Sequence, residues 1–215
     1  MTKRILVVCR SFPAHRAGGL EWHTQDIVEG LIDAGHFVHV ITTPLPAKPF
    51  LRPLQVNGTI TELPARDGAY SFTLFRRLAR AAEIISMREG IDLIHAQGLA
   101  GIPLALTPRK LPPLVTTLHG TLWSETPLDR RRRKRIAATE MASQLWRFKH
   151  RLAMWPLWKT FLLRRPRIIV DSDFSRRELL RENPNLTPQV LPLRMDLRRL
   201  GHGNPTRRRD EAPIF

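Results

Sequence analysis

The chain has 215 residues, 42% hydrophobic and 25% charged, a balance that suits one buried domain plus an appendage and excludes wholesale disorder. No apolar run is long enough to cross a bilayer, and the segment from Met1 to Cys9 is too short to be a signal peptide, so neither a membrane span nor export by that route is expected. The 35 Lys and Arg outnumber 19 Asp and Glu for a net charge of +16, an excess that draws nucleic acid, an anionic leaflet or phosphorylated ligands without choosing among them.

Ile5 to Val8 is a short apolar run that predicts a strand buried on both faces. From Leu20 the period changes: Leu20, Trp22 or His23, Ile27, Val28, Leu31 and Ile32 recur at helical spacing, and Gly35 stands where a C-terminal cap belongs. Cys9, the lone cysteine, reads as a small buried hydrophobe in a reducing compartment, so a cytoplasmic location is expected. Phe37 to Thr42 is a second strand, and Pro44, Pro46, Pro49 and Pro53 then forbid regular structure. Val56 to Leu63 predicts a short strand or hairpin edge. Ala69 to Glu89 predicts a helix with Phe72, Phe75, Leu78, Ala82 and Ile85 on its buried stripe, ended by Gly90.

Ile91 to His95 and Leu114 to Leu118 are the next strands, separated by a helical Leu99 to Leu106. Residues 128–165 form a basic, aromatic, amphipathic helical segment, expected to be kinked or broken near Pro156. Arg167 to Val170 is a late strand, Ser175 to Arg181 a short helix, and Gln189 to Leu193 a last extended piece. The alternation predicts an α/β domain with a doubly wound, mostly parallel, Rossmann-like sheet over residues 1–200, followed by a disordered tail over 201–215.

The loop from Arg10 to Gly19 leaves the carboxyl end of a strand, where open α/β sheets bind ligands. Gly18 and Gly19 let backbone come close to a bulky group, and the N–H groups of the following helix favour a phosphate or carboxylate; a simple tight turn is the alternative. His95 and His119 are each predicted at a strand's carboxyl end, on the same rim as that loop, and His119, followed by Gly120 and Thr121, is the stronger candidate. Asp171-Ser172-Asp173 has the look of a cation-bridging Asp-x-Asp, but Ser175 with Glu178 has capping-box spacing and helix initiation is the favoured reading. No cluster has zinc spacing, and no metal is expected.

The run Arg130, Arg131, Arg132, Arg133, Lys134, Arg135 is either a solvated helix start or an invitation to an anionic partner. Downstream, Trp146, Trp155 and Trp158 alternate with cations in the composition of an interfacial helix on anionic lipid; core packing is the alternative.

These segments together resemble the amino-terminal domain of GT-B glycosyltransferases of family 4, the retaining group that uses nucleotide-activated sugars. The resemblance covers nearly the whole chain to about Leu200. It rests on Ile5-Leu-Val-Val, Gly18-Gly19-Leu-Glu-Trp-His23, Gly35-His36-Phe-Val-His-Val-Ile41, Asp92-Leu-Ile-His95, Thr116-Thr-Leu-His119-Gly120 and Val170-Asp-Ser172-Asp-Phe-Ser175. It implies a single domain that is half of a GT-B fold, a nucleotide-diphosphate sugar as donor substrate, and no cofactor. It also implies a catalytic His119 near the reacting sugar, with donor or acceptor contacts at Gly18, Gly19, His23, His95, Gly120, Thr121 and Ser172. The family follows its last amino-domain helix with Pro-Asn-Gly-Val-Asp, whereas Pro192-Leu-Arg-Met-Asp196 stands here. The donor-binding carboxyl-terminal domain is not expected within these residues. The expected partners are therefore a separate donor-domain polypeptide, an anionic membrane surface and an amphipathic or lipid-linked acceptor in cell-envelope polysaccharide or glycolipid synthesis, at the cytoplasmic membrane face. A truncated or decayed product, or a non-enzymatic protein binding nucleic acid or membrane, is the alternative; nucleic acid is not the expected partner.

Overall fold

A computed structural model describes residues 1–11, 13, 15, 18–45, 59–64, 70–122 and 138–192, with helix residues 138–148, 150 and 151 described by their backbone alone. Seven strands form one sheet: β1 (Arg4–Val8), β2 (Phe37–Thr42), β3 (Ile60–Glu62), β4 (Leu93–Gln97), β5 (Leu114–Leu118), β6 (Arg167–Val170) and β7 (Gln189–Val190). The spatial order is β3-β2-β1-β4-β5-β6-β7, and every neighbouring pair is parallel. The helices are α1 (Gly19–Asp33), α2 (Phe72–Glu89), α3 (Gly101–Leu106), α4 (Ala138–Leu163) and α5 (Asp173–Glu182). No helix among the described residues is long and apolar enough to cross a membrane.

Parallel strands alternate their side chains between two covered faces, and the core divides accordingly. Ile5, Val7, Val38 and Val40 pack beneath α1 through Val28, Leu31 and Ile32. Leu6, Val8, Ile41, Ile94, Leu118, Ile168 and Val170 form the larger core on the opposite face with residues of α2, α3, α4 and α5. Cys9 joins the α1 side, where burial pushes its thiol up to about 12, so it stays an inert neutral group.

The helix ends follow from sequence chemistry. Gly35 takes φ +82, with Gly35 N–H bonded to the Ile32 carbonyl and His36 N–H to the Leu31 carbonyl, the paired bonds of a Schellman stop. Ser71 caps α2 by accepting from Leu74 N–H, which starts the helix three residues after the expected Ala69. That phase exposes Phe72 and buries Leu74 in its place, correcting the expected stripe. Similarly, β4 runs two residues beyond the expected His95, and β3 is a parallel edge strand, so Val56 to Leu63 contains no hairpin within the described 59–63.

Two further expectations are corrected. The Ser172 hydroxyl accepts from Ser175 N–H, so α5 is capped one turn before the expected Ser175. Pro156 lies inside α4 without ending it: the helix continues to Leu163, and the Thr160 hydroxyl bonds the Pro156 carbonyl. The start of the basic segment, 128–137, and the tail, 201–215, lie outside the described residues.

One buried polar cluster secures the sheet edge. His39 on β2 meets Glu89 through Nδ1 at 2.8 Å and Thr61 of β3 through Nε2 at 2.9 Å, with the Thr59 hydroxyl 2.7 Å from Nδ1. It ties the short strand β3 to the end of α2.

Candidate functional site

The strand order reverses between β1 and β4, which opens a crevice outside the carboxyl ends of these strands. Register decides which side chains gather there. His95 pairs with both Val7 and Val115, and Leu118 pairs with Val170, so His119 and Asp171 each follow directly on a paired residue. His95, Thr117, His119 and Asp171 consequently share one face of the sheet by their alternation, and that is the face α1 covers.

The glycine pair opens α1. Gly18 is its N-cap in extended backbone, and Gly19, exposed, is its first residue. The requirement for glycine at Gly18 is not visible in the sequence: a Cβ there would overlap the carboxylate of Glu21, which folds back over the helix start. Glu21 is 2% exposed and accepts a 2.6 Å hydrogen bond from the Ser11 hydroxyl. Gly18 and Glu21 have N-cap and N3 spacing, so the capping-box pattern was the available signal. Nothing lies within 4 Å of a Cβ at Gly19. We therefore expect Gly18→Ala to cost about 1–3 kcal/mol and Gly19→Ala to stay within about 0.5 kcal/mol; urea midpoints of the two variants check this, and equal midpoints would remove the steric account.

The second element is a histidine cluster. The rings of His23, on the first turns of α1, and His119, after β5, meet edge to face at 5.0 Å between centroids. His119 Nδ1 lies 3.5 Å from Asp171 Oδ2, while Asp171 Oδ1 accepts from the hydroxyls of Ser172 at 3.1 Å and Ser175 at 2.8 Å. The α5 cap and the His119 partner are thus one hydrogen-bonded unit. His95 Nε2 pairs with the Thr117 hydroxyl at 2.8 Å, with the Gln97 amide 3.4 Å away.

Burial, and then repulsion from His119, lowers His23 to about 4 against the pull of Asp171; burial and then His23 lower His95 to about 4. Unfolded histidines take up protons near 6.5, so between that pH and 4 the unfolded chain binds more protons and stability falls as pH falls. The His95 shift corresponds to at most about 3 kcal/mol, and the more exposed His23 adds less. The urea midpoint is expected to drop through this window and to drop less in His95→Gln. A midpoint flat across the window would contradict the neutral, buried state of the pair.

The remaining expected residues are placed as follows. Thr121 is buried behind a half-buried Gly120, directly after His119. Asp173 is exposed and pairs with Arg176, away from Asp171, so the two acids of the Asp-x-Asp do not act together. Arg10, which the sequence analysis passed over, lies at the rim with its guanidinium 5.4 Å from the Tyr70 ring centre, and the Tyr70 hydroxyl donates to the Gln97 carbonyl at 3.4 Å. Trp158 requires a correction. Expected at an anionic surface, it is fully buried, stacked on Phe161 and donating to Glu182 at 2.7 Å. Its helical phase points at the sheet, whereas Trp155 is 41% exposed. The backbone of Trp146 lies in α4 and its side chain, like Arg130 to Arg135, lies outside what is described.

Comparison with known proteins bears on this arrangement. The model of the family described as Glycosyltransferase Family 4 matches residues 17–193. Among solved structures, the chain is similar to a sucrose-phosphate synthase from Thermosynechococcus elongatus, at 18% identity and TM-score 0.62 over 91% of this chain. It is also similar to a glycosyltransferase from Rickettsia africae, at 16% identity and TM-score 0.50 over 89% of this chain. These likenesses are of fold, and the chain spans 49% and 43% of the two structures, about half of each. No curated protein compared with the chain matches it significantly. With the matched region running from the glycine loop through the histidine cluster to the end of the sheet, the chain belongs to glycosyltransferase family 4.

Proposed function

We propose that the chain is the acceptor-side half of a retaining glycosyltransferase that takes a nucleotide-diphosphate sugar as donor, in cell-envelope polysaccharide or glycolipid synthesis, with the donor-binding half lying outside these residues. The observation that carries the reading is the unit of His23, His119 and Asp171 at the carboxyl ends of β5 and β6, beside the first turns of α1.

Breaking the bond between sugar and diphosphate develops negative charge on the leaving group and positive charge at the sugar carbon. Backbone N–H groups at a helix start stabilise the former without a metal. Glu21 occupies part of that start in this chain, so the exposed Gly19 backbone is the portion left for a ligand. Asp171 faces Nδ1 of His119 and favours the proton there, which makes Nε2 the ring atom for a sugar hydroxyl. His119 then fixes the sugar by a hydrogen bond or moves a proton as the acceptor attacks. His23 and His95, held neutral, keep further positive charge away from it.

The test is transfer of labelled sugar from a panel of nucleotide-sugars to a bacterial lipid extract, by residues 1–215 alone and paired with a donor-binding half. Transfer only by the pair is the expected result. Turnover by the chain alone would sink the half-enzyme reading, and no transfer by the pair with any donor would sink the activity.

A further inference from the structure

We infer that the outer face of α4 is a seat for an anionic bilayer surface, an inference independent of the glycosyl-transfer reading. Helical phase divides α4 between Lys149 and Leu163 into two faces. Met154, Trp158, Phe161 and Leu162 are buried against the sheet. Leu152, Trp155, Pro156 and Leu163 project the other way, where Leu152 is 56%, Trp155 41% and Leu163 73% exposed. These outward side chains lie on one side of the helix over residues 152–163, a patch about 16 Å long with Lys159 and Thr160 between Pro156 and Leu163. Trp155 carries the Lys159 ammonium at 5.7 Å from its ring centre, the pairing of an indole with a cation that suits a headgroup layer.

The charge around the stripe decides the occupant. Residues 141–170 contain seven Lys and Arg and no Asp or Glu. Of these cations, Lys149, Arg164 and Arg165 are exposed next to the apolar stripe, at its two ends. Among the described residues, the acid that pairs with the helix, Glu182, is already engaged by Trp158 at 2.7 Å and Lys159 at 3.4 Å. Apolar side chains flanked by uncompensated cations match the layering of an anionic leaflet, acyl boundary within and phosphate outside, better than a protein surface with no stated acidic complement. The geometry corrects the sequence expectation of a helix immersed by its whole aromatic set: only the outer stripe makes contact, and the helix remains part of the domain while it does so.

The test is co-sedimentation of the full chain with vesicles of phosphatidylcholine alone and of phosphatidylcholine mixed with phosphatidylglycerol, at low and raised salt, for the wild type and the variant Leu152→Ser, Trp155→Ser, Leu163→Ser. Circular dichroism and the urea midpoint establish that the variant is folded. We expect binding to the mixed vesicles only, weakened by salt, and weakened about tenfold or more in the variant. Binding unchanged in the folded variant would overturn the inference, since the contact would then lie elsewhere on the basic chain. Absence of vesicle binding would also overturn it, and so would a wild-type dimer that the variant dissolves without vesicle binding, which would assign the stripe to a second copy. If the triple variant does not fold, the single Trp155→Ser decides on the same readings, with tryptophan emission quenched by brominated lipid in the wild type and less so in Trp155→Ser as the sign of contact.

Discussion

Trp158→Ala is expected to lower the stability of the chain by about 3–5 kcal/mol, whereas Trp155→Ala, three residues earlier on the same helix, is expected to cost at most about 1 kcal/mol. Trp158 is fully enclosed, and truncating it leaves a void between α4 and the sheet that Phe161, stacked 5.7 Å away, cannot fill by rotation alone. Its hydrogen bond to Glu182 is also lost, although Lys159 remains to hold that carboxylate. Trp155 forfeits only the Lys159 contact and half-exposed area. Urea unfolding followed by circular dichroism measures both. Equal costs would mean that the two faces of α4 have been assigned wrongly, and the bilayer seat would fall with them.

For His119→Ala, the expected loss is a hundredfold to ten-thousandfold in kcat, roughly the range of a positioned acid or base, in the transfer assay with both halves present. Two companions separate the possible roles. His119→Gln keeps a hydrogen-bonding group without a titrating proton, so recovery in that variant would make the residue a sugar-positioning donor and its failure a proton carrier. Asp171→Asn removes the negative charge facing Nδ1 while keeping hydrogen-bonding atoms, and it is expected to lower kcat with little change in KM, because the ring loses the partner that orients it. A His119→Ala variant with full activity would end the catalytic assignment, whatever happened to binding.

The strands and most of the helices were legible because their patterns are local. Ile5 to Val8 and Arg167 to Val170 are apolar runs of strand length, and Gly35 and Gly90 stop helices by adopting positive φ. The site was legible only as separate motifs. His119 and His95 were visible as residues near strand ends, but which of them meets an acid depends on the register of β5 against β6, which no local pattern carries. Asp171 was therefore read as part of a helix start, which it is, but not as the partner of the histidine that follows the neighbouring strand β5. Trp158 was misplaced for a related reason. An aromatic stripe mixed with cations has the same composition whether its rings face lipid or a sheet, and only the tertiary fold assigns its two sides. The charge of the stripe survived the correction; its geometry did not.

The sheet order also constrains how the chain can be made. β1 lies between β2 and β4, and Ile5 takes Leu93 as one neighbour. During synthesis the amino end emerges first, so β1 can pair with β2 early but must wait for about ninety further residues, roughly 4–18 s of translation, before its other edge is closed. Through that interval a strand apolar on both faces presents open N–H and C=O groups, which makes it the segment of the nascent chain most exposed to pairing with the wrong partner. A sheet with its first strand in an interior position thus leaves that strand's second edge open through much of synthesis, an exposure that the finished, covered sheet no longer reveals.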